Sequence, residues 1–440
     1  MQQPACTRFV FSTLFLITLA VVGSHAALAQ TFQVIHTFSG RGDGGTPQSG
    51  VTIDGAGNLY GTASIGGGSE CDFIGSGCGT VYKLQRQGSG WTLNPLYKFT
   101  GGSDGADPAG GVVFGPNGAL YGTTLFGGNG GVFSGVVFKL TPSPTICRTV
   151  LCPWRETTLY AFTGGSDGAR PNLGDVTFDH AGNMYGTALY GGFSSAACPF
   201  GCGVVWELTP PGSWASETVL HAFTNNPDGS GPENSVIFDN AGNLYGTTFL
   251  GGSGGYGTVF QLLPAGPPWT ENILYTFQDG NDGGYITAGL AFDASGNLYG
   301  AATRLGMGGG GTIFELSPPG TWNMFNVIYS FTGNIDGYCP TGAFSGPQTT
   351  LTMDPAGNMY GTTCADGLYG YGNVFQLTAS NGGWTYTDLY DFSGGSDGAF
   401  PISNVAFDRS GNLYGTTASG GLAGGCGGGD GCGVVWEITP

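Results

Sequence analysis

Short apolar runs alternate with polar, glycine-rich stretches along the chain. One sequence motif of about nine residues, called the phrase below, recurs in this pattern. In its first copy, Asp54–Thr62, a β-branched run ends at an aspartate, and Asn-Leu-Tyr-Gly-Thr follows after a short glycine-containing turn. The side chain of Asp54 can hydrogen-bond the backbone two residues on, and Gly57 can adopt the positive φ of a bulged hairpin turn. Each copy therefore predicts a β-hairpin, and its Asp and Asn are explained by turn chemistry rather than as ligands.

The phrase occurs seven times, and its central tyrosines are spaced by 54 to 64 residues. The later copies are Gly115–Thr123, which is degraded, Asp179–Thr187, Asp239–Thr247, Asp293–Gly300, Asp354–Thr362 and Asp408–Thr416. A period of this size is typical of supersecondary units that bury their apolar faces only against neighbouring copies. The chain is therefore predicted to be a repeat array.

Four strand signals, which we label A to D, recur in each unit. Strand A precedes the hairpin turn, strand B is the Asn-Leu-Tyr-Gly-Thr run, and strand C follows a glycine-rich loop. Strand D closes at a phenylalanine and opens at a tryptophan in six units: Trp91, Trp154, Trp214, Trp269, Trp322 and Trp384. Apolar residues lie on both faces of these strands, as in sheets packed between two neighbours. The pattern predicts an all-β, seven-bladed β-propeller of four-stranded blades; a β-solenoid is the alternative, but it normally has shorter coils and a capped end.

The two ends of the repeat region predict how the ring closes. Thr31–Phe38 has the pattern of a strand D without a preceding A, B or C, and Gly433–Pro440 is a strand C without a following D. In a ring the N-terminal strand can complete the last blade and remove an open sheet edge, whereas a solenoid gains nothing from this arrangement. We therefore expect residues 30–440 to form one propeller domain of seven repeats, each of about 59 residues.

Residues 1–29 have the features of a secretory signal peptide. Arg8 precedes the apolar run Phe9–Val22, and Ala27-Leu28-Ala29 supplies small residues at the usual spacing, so cleavage is expected after Ala29. The apolar run is too short for a membrane-spanning helix. These features predict a protein that is secreted or displayed on the cell surface and has no membrane span.

Composition narrows the choice of partners. Acidic residues outnumber basic ones, 29 to 11, so nucleic acid and anionic lipid are poor candidate partners. Aromatic residues make up 13% of the chain and stand at repeated positions, which favours a packed core over glycine-rich disorder. A protein or a glycan remains the expected partner, and the oligomeric state is open.

The cysteines predict disulfides in an exported chain. Eleven are present, and ten remain once Cys6 is removed with the signal peptide. Proximity suggests four pairs and elimination the fifth: Cys71–Cys78, Cys147–Cys152, Cys198–Cys202, Cys426–Cys432 and Cys339–Cys364. In a propeller the D–A and B–C loops share one face, which brings Cys339 and Cys364 together. All pairs except Cys147–Cys152, in a C–D loop, are expected on that face, and we predict it to be the functional one.

Several phrases resemble a known bacterial repeat. Gly-Asn-Leu-Tyr-Gly-Thr-Thr, Gly-Thr-Val-Phe-x-Leu and Leu-Tyr-x-Phe-x-Gly-Gly-Ser-Asp-Gly-Ala are together similar to the GloVer tandem repeat of exported "choice-of-anchor" proteins. The similarity extends over nearly all of the mature chain. It implies export and surface display in a bacterium, and it brings no established activity or ligand. The A–B hairpin also resembles NHL-type propellers, which is a more general similarity.

One aspartate per unit recurs between strands D and A: Asp43, Asp104, Asp167, Asp228, Asp282, Asp336 and Asp397. On one face of a propeller these carboxylates would form a ring, a candidate binding face for Ca²⁺, which prefers oxygen ligands. The structural interpretation is an Asp-Gly turn in which each aspartate caps its own loop. We favour the turn, because one carboxylate per blade is too few for a calcium cage. No other cofactor is predicted.

The histidines and aromatic residues have structural explanations. His36 and His221 occupy a strand-D position that tyrosine holds in the other units, and His180 lies in an A–B turn. No Ser-His-Asp triad and no histidine-based metal site is visible in this spacing. The repeated tryptophans and tyrosines are able to stack on sugars, but one per blade in a strand position is more typical of the core.

Two functions remain after these exclusions. The first, which we favour, is an exported, non-catalytic propeller that binds a ligand or partner, or forms surface structure, through its unequal B–C loops. The second is a propeller enzyme, a lyase or glycan hydrolase, with its site at the channel mouth. The loop face offers it seven blade-specific charged residues: Glu70, Asp72, Arg170, Glu233, Arg304, Asp366 and Asp430. Two close acids in unequal environments would favour the enzyme; no catalytic residue is predicted.

Overall fold

Seven antiparallel sheets of four strands each make up the described part of the chain. The computed structural model describes residues 30–440 except 69–70, 72–76, 89, 129–133, 143–153, 172–173, 211–215, 318–323, 333–346, 381–382, 422–425 and 427–430. Its secondary structure is all strand and turn, and no helix long and apolar enough to span a membrane occurs among these residues. The strand order within every sheet is A-B-C-D, which confirms the predicted seven-bladed β-propeller.

The strands are numbered β1 to β28 along the chain, and the blades are numbered 1 to 7 in the order of their A strands. The A strands are β2 (Thr52–Ile53), β6 (Val113–Phe114), β10 (Thr177–Phe178), β14 (Ile237–Phe238), β18 (Ala291–Phe292), β22 (Thr352–Met353) and β26 (Ala406–Phe407). The B strands are β3 (Leu59–Ala63), β7 (Leu120–Thr124), β11 (Met184–Ala188), β15 (Leu244–Thr248), β19 (Leu298–Ala302), β23 (Met359–Thr363) and β27 (Leu413–Thr417). The C strands are β4 (Thr80–Gln87), β8 (Val136–Thr141), β12 (Val204–Leu208), β16 (Thr258–Leu263), β20 (Thr312–Ser317), β24 (Asn373–Ser380) and β28 (Val434–Thr439). The D strands are β5 (Gly90–Lys98), β9 (Arg155–Ala161), β13 (Glu217–Ala222), β17 (Thr270–Thr276), β21 (Met324–Ser330), β25 (Gly383–Asp391) and, in blade 7, β1 (Thr31–Thr37).

Blade 7 combines the two ends of the propeller. β1 pairs antiparallel with β28, from Thr31 opposite Thr439 to Thr37 opposite Val434. The N–H of Phe38 then donates to the carbonyl of Gly433 at 3.1 Å. β28 therefore lies inside its sheet instead of at an open edge, and the predicted completion of the last blade by the N-terminal strand is confirmed.

The A–B turn shows why the repeated phrase has its sequence. Oδ1 of Asp54 accepts the backbone N–H groups of Ala56 and Asn58, both at 2.9 Å. Its Oδ2 accepts the Asn58 amide at 2.7 Å and the Tyr60 hydroxyl at 3.1 Å. Gly57 has a φ of 81°, in the left-handed region that favours glycine. The same Asn and Tyr contacts are made by Asp179, Asp239, Asp293, Asp354 and Asp408.

The hydrophobic core lies between blades and is built on a glycine–aromatic pair in each blade. A ring of strand C lies beside a glycine of strand B, as where Gly186 stands opposite Trp206, which is fully buried. The other pairs are Gly61–Tyr82, Gly122–Phe138, Gly246–Phe260, Gly300–Phe314, Gly361–Phe375 and Gly415–Trp436. Each ring then meets the previous blade, as Phe138 meets Phe99 with ring centroids 5.1 Å apart. The D-strand Trp154 likewise packs on Tyr60, which is the predicted core role.

Polar contacts between neighbouring A strands tie the blades together around the axis. The N–H of Gly111 donates to Oδ1 of Asp175 at 2.8 Å, and the N–H of Asp175 donates to Oγ of Ser235 at 2.9 Å. Thr350 and Asn404 repeat this contact between blades 5, 6 and 7. These side chains therefore have a structural role in holding the blades together.

Candidate functional site

The D–A and B–C loops of each blade lie side by side on one face. Backbone bridges join them at Gly45–Ile65, Ala106–Phe126, Ala169–Tyr190, Ser230–Leu250, Gly284–Arg304, Pro347–Thr363 and Ala399–Ser419. We call this surface the loop face. The D–A loops also contact the preceding blade: the N–H of Arg170, for example, donates to the carbonyl of Ser134 at 3.0 Å. The backbone of the loop face is thus braced in two directions.

Disulfides shape the B–C loops of blades 1, 3 and 7. The bonds are Cys71–Cys78, Cys198–Cys202 and Cys426–Cys432, with Cα–Cα distances of 5.1, 5.1 and 5.3 Å. Cys364 is also disulfide-bonded, and its predicted partner Cys339 lies outside the described residues, as do Cys147 and Cys152. Disulfides are typical of an oxidising, extracellular setting. The predicted signal peptide, residues 1–29, also lies outside the described residues.

The recurring aspartates between strands D and A cap their own loops. The carboxylate of Asp104 accepts the N–H of Thr100 at 2.8 Å, the Thr100 hydroxyl at 2.6 Å and the Tyr97 hydroxyl at 3.0 Å. The N–H four residues earlier is bonded in the same way by Asp43, Asp167, Asp228, Asp282 and Asp397. Asp336 lies outside the described residues. These contacts are those of the capped turn, and Ca²⁺ binding by the set stays a prediction.

Exposed apolar side chains gather on the loop face. Among the described residues, those in the B–C loops of blades 3 to 6 are Phe193, Phe200, Leu250, Met307, Leu368, Tyr369 and Tyr371. Phe200, Met307 and Leu368 are 74%, 79% and 75% exposed. The remaining exposed large apolar side chains of the described chain, Ile273 and Met324, lie in D strands. Exposed apolar side chains that are concentrated on one side of a fold are typical of interaction surfaces.

A cavity of about 670 Å³ lies on this face where blades 2 and 3 meet. Tyr190 and Phe200 form an aromatic wall, with ring centroids 5.9 Å apart. Arg170 lies beside them, with its guanidinium 5.7 Å from the Tyr190 ring centroid. The hydroxyls of Thr163 and Ser166 and a series of glycine backbones complete the lining, which contains no carboxylate among the described residues. The cavity suits a neutral ligand that has both apolar faces and hydroxyl groups.

The two arginines among the blade-specific charged residues, Arg170 and Arg304, lie against aromatic rings. Besides Tyr190, the guanidinium of Arg170 lies 4.7 Å from the ring centroid of Phe126. Arg304 lies 5.6 Å from the ring centroid of Tyr285. At these distances each guanidinium is attracted by the negative face of a ring, as in a cation–π contact.

The structure describes two acids among the blade-specific charged residues, Glu233 and Asp366, and they have different neighbours. Burial raises the pKa of Glu233 to about 7. Burial also raises the pKa of Asp366, whose acidic neighbours are Asp388 and Asp391. Glu233 and Asp366 therefore do not form the close acid pair that would favour the enzyme hypothesis. Glu70, Asp72 and Asp430 lie outside the described residues.

Three glutamates that sequence reasoning missed lie at consecutive blade junctions. Glu156, Glu217 and Glu271 stand near the start of β9, β13 and β17, and each lies close to the capping aspartate of the preceding blade. Burial raises the pKa of each to about 7. The other blades place Phe32, Leu93, Phe325 and Tyr386 at this position. An acid where other repeats carry an apolar or aromatic residue is the signal that would have revealed them.

At the junction of blades 3 and 4, a histidine lies close to the junction glutamate and to the capping aspartate beside it. Nε2 of His221 lies 3.3 Å from Oδ2 of Asp228 and 3.8 Å from Oε2 of Glu271. The ligand atoms of all three residues lie within 4.8 Å of one another. Sequence analysis did not reveal this arrangement, and whether it holds a metal stays a prediction. The repeat pattern relates positions within one repeat, whereas Glu271 comes from the next blade.

The junction glutamates lead us to expect that stability falls as the pH rises from about 5 to about 8. Glu156 and Glu217 have an ordinary pKa of 4.5 and a folded-state pKa of about 7. Folding therefore favours their protonated forms, and this stabilisation is complete below pH 4.5 and lost as the pH rises through 7. Each group should change the free energy of unfolding by roughly 1 kcal/mol after allowance for the surrounding solvent.

Thermal melting over this pH range tests the expectation. The double variant Glu156→Gln/Glu217→Gln, which keeps the side-chain shape without the charge, should melt with a flatter pH dependence than the wild type. Asp43 does not titrate in this range. Burial raises its pKa, but the His36 imidazole 3.4 Å away and two hydrogen bonds from Ser39 outweigh burial and lower the pKa to about 2. Equal pH slopes for the variant and the wild type would contradict the assignment.

Comparison with known proteins identifies the repeat. The model of the Gloeobacter/Verrucomicrobia repeat matches residues 18–197 and 150–345, which together span more than half of the chain. Among curated proteins, no match to the chain is found.

Solved structures with related architecture are distant in sequence. A Thermus thermophilus protein assigned as an oxidoreductase (glucose dehydrogenase) is 13% identical, with a TM-score of 0.42, covering 93% of this chain and 100% of its own. A Bacteroides uniformis protein assigned as a 6-phosphogluconolactonase is 15% identical, with a TM-score of 0.49 and coverages of 81% and 88%. An ancestral GH74 enzyme is 14% identical, with a TM-score of 0.49 and coverages of 90% and 51%. None of these activities is carried over to this chain.

Proposed function

The chain belongs to the Gloeobacter/Verrucomicrobia repeat family, and we propose that it is an exported, non-catalytic propeller that binds a glycan through its loop face. One observation carries this proposal. The exposed apolar side chains of the described B–C loops lie on four adjacent blades, all on the loop face. The disulfides in the same loops support an extracellular setting.

The cavity between blades 2 and 3 supplies the chemistry for a glycan. A sugar ring has apolar C–H faces that stack on aromatic side chains. The exposed ring of Phe200, beside Tyr190, is accessible for such stacking. Sugar hydroxyls need donors and acceptors: the Ser166 hydroxyl can act as both, and the carbonyl groups of the lining glycines can accept. The absence of a carboxylate from the described lining favours a neutral polymer over a cationic one.

The acids of the loop face favour binding over catalysis. A general acid or nucleophile must have a carboxylate free to reach the substrate. The D–A aspartates instead use their oxygens on their own loops: Asp104 accepts three hydrogen bonds there and Asp167 accepts four. An isolated Glu233 with a raised pKa has no second acid of the described set beside it.

Affinity electrophoresis of the purified mature chain in gels that contain neutral or acidic polysaccharides is the direct test. We expect at least one neutral polysaccharide to retard the protein. Phe200→Ala should weaken this binding by about 5- to 10-fold, because a lost stacking contact costs about 1–1.5 kcal/mol. Met324→Ala is the matched control, since it removes an exposed apolar side chain from a D strand and should leave the affinity unchanged.

The alternatives have distinct outcomes in the same experiment. Release of reducing ends or unsaturated products from a retained polymer would establish the enzyme hypothesis and overturn the non-catalytic one. Retardation that Phe200→Ala and Met324→Ala affect equally would remove the loop face from the explanation. Retardation by acidic polysaccharides alone would contradict a neutral glycan, and retardation by none of the polysaccharides would contradict a glycan ligand.

A further inference from the structure

The junction of blades 3 and 4 brings a nitrogen ligand and two oxygen ligands to one point. His221 lies on β13, Asp228 lies in the loop that follows it, and Glu271 lies on β17 of the next blade. Their side chains are only 15%, 8% and 12% exposed. We propose that these three residues bind one divalent transition-metal ion of the Zn²⁺ class and thereby join blade 3 to blade 4.

The three ligand atoms lie within 4.8 Å of one another, close to the edge lengths of a metal coordination sphere. Ligand atoms about 2.0–2.2 Å from a tetrahedral zinc ion lie about 3.3–3.6 Å from one another. Nε2 of His221 is 3.3 Å from Asp228 and 3.8 Å from Glu271 in this chain. A small movement of the Glu271 carboxylate toward His221 therefore completes a site with three protein ligands. Its fourth position is open to water.

The carboxylate of Glu271 supplies an independent reason for a cation. Its Oε1 is buried and accepts no hydrogen bond from the described part of the chain. Its Oε2 is too far from His221 for a hydrogen bond, at 3.8 Å. A buried carboxylate without donors is costly, and it lies beside a second acid, Asp228. A divalent cation between the two offsets both costs.

Comparison of the junctions shows that the histidine is not required by the fold. The same position holds a tyrosine in other blades, and Tyr160 donates to Asp167 at 2.9 Å as the fold requires. At the junction of blades 7 and 1, His36 lies 3.4 Å from Asp43, but Leu93 stands in place of the glutamate. Among the described junctions, histidine, aspartate and glutamate coincide only between blades 3 and 4.

The ligand set selects the class of ion. One imidazole and two carboxylates suit Zn²⁺ and similar borderline cations, which accept mixed nitrogen and oxygen ligands. Ca²⁺ needs six to eight oxygen ligands, and this junction does not provide them. The described cysteines whose state the structure defines are in disulfides, so they do not compete for the ion as thiolates.

The repeat itself provides the variants for the test. His221→Tyr installs the residue that other blades carry, and Glu271→Gln removes a charge while keeping the shape. His36→Tyr is the matched control, because it makes the same exchange at a His–Asp pair that lacks the glutamate. Tyr160→His is a gain-of-site variant, because it places a histidine next to Asp167 and Glu217.

Calorimetric titration of the chelator-treated mature chain with Zn²⁺, with the bound metal counted by mass spectrometry, gives the result. We expect one equivalent for the wild type and for His36→Tyr, and two for Tyr160→His. His221→Tyr should weaken binding by at least about 100-fold and Glu271→Gln by at least about 10-fold. Ca²⁺ should not bind at this junction.

Three results would overturn the site. They are no zinc bound by the wild type, the same stoichiometry and affinity in His221→Tyr and Glu271→Gln as in the wild type, or Ca²⁺ binding that these two variants abolish. A folded circular dichroism spectrum is required of each variant. If His221→Tyr did not fold, the affinity of Glu271→Gln and the gain of a second ion by Tyr160→His would still show whether the site binds zinc.

Discussion

A chain that lacks Thr31–Phe38 is expected to lose its cooperative folded state. Without β1, the whole backbone edge of β28 is exposed. The deletion also removes packing on both sides of blade 7: Phe32 stacks on Tyr390 at 3.6 Å, and the fully buried Phe38 contacts Tyr82 at 5.2 Å between ring centroids. Loss of Phe38 alone costs about 3–5 kcal/mol. The complete deletion should exceed about 5 kcal/mol, the lower end of a domain's total stability.

Denaturant unfolding and size-exclusion chromatography measure this effect. The truncated chain should aggregate, or unfold at much lower denaturant concentration than a chain that begins at Gln30. A synthetic peptide of sequence Thr31–Phe38 supplied in trans should restore part of the transition, because it can add a strand to the exposed edge of β28. An unchanged midpoint and a monomeric truncated chain would show that the N-terminal strand does not close the ring.

The fold could be predicted from the sequence because its signals are local. The contacts that shape each A–B hairpin lie within seven residues, from Asp54 to Tyr60, so the phrase that encodes them is visible in the sequence. Seven similar phrases then set the number of blades. The displaced strand pattern at Thr31–Phe38 reveals the closure, because a strand D without its partners must pair with the one strand C that lacks a D.

The candidate sites could be predicted only in part, because they form between repeats. His221 and Glu271 hold different positions of successive D strands, and nothing in the sequence shows that the two positions are neighbours across a junction. Within one repeat, His221 is simply a substitute for tyrosine. The aspartates at D–A turns, in contrast, are visible in the sequence. Their regular spacing indicates a ring of carboxylates on one face, but each described carboxylate accepts hydrogen bonds from its own loop.

The exposed apolar side chains of the loop face could not be predicted for a different reason. Phe200, Met307 and Leu368 lie in loops that share no pattern from blade to blade, so the sequence gives no sign of which side chains face solvent. Loop length and the disulfides indicated the functional face, but not the residues on it. Only the backbone bridges between the D–A and B–C loops place these side chains on one surface.

The second large effect is expected from Gly186→Ala, a substitution that would be mild in most strands. A Cβ at this position would lie 2.3 Å from Cζ2 of Trp206, and the indole is fully buried between blades 2 and 3. The ring has no space to retreat, because it also packs on Phe162 with centroids 5.8 Å apart. Gly186 does not have a positive φ, so the clash alone is responsible. We expect a loss of about 3 kcal/mol or more, at the upper end of overpacking costs.

Chemical denaturation of two companion variants isolates this clash. Gly55→Ala adds the same methyl group where the nearest atom is 3.7 Å away, on Arg409, and should change stability by less than about 0.5 kcal/mol. Trp206→Leu is destabilising by itself because it removes a buried ring. It should nevertheless make Gly186→Ala much less harmful, since the leucine leaves room for the methyl group, and the double variant should be more stable than the sum of the two single effects predicts. If Gly186→Ala were as mild as Gly55→Ala, or if the two effects simply added, the close approach of strand B to the indole would not be what requires glycine in the repeated Tyr-Gly-Thr phrase.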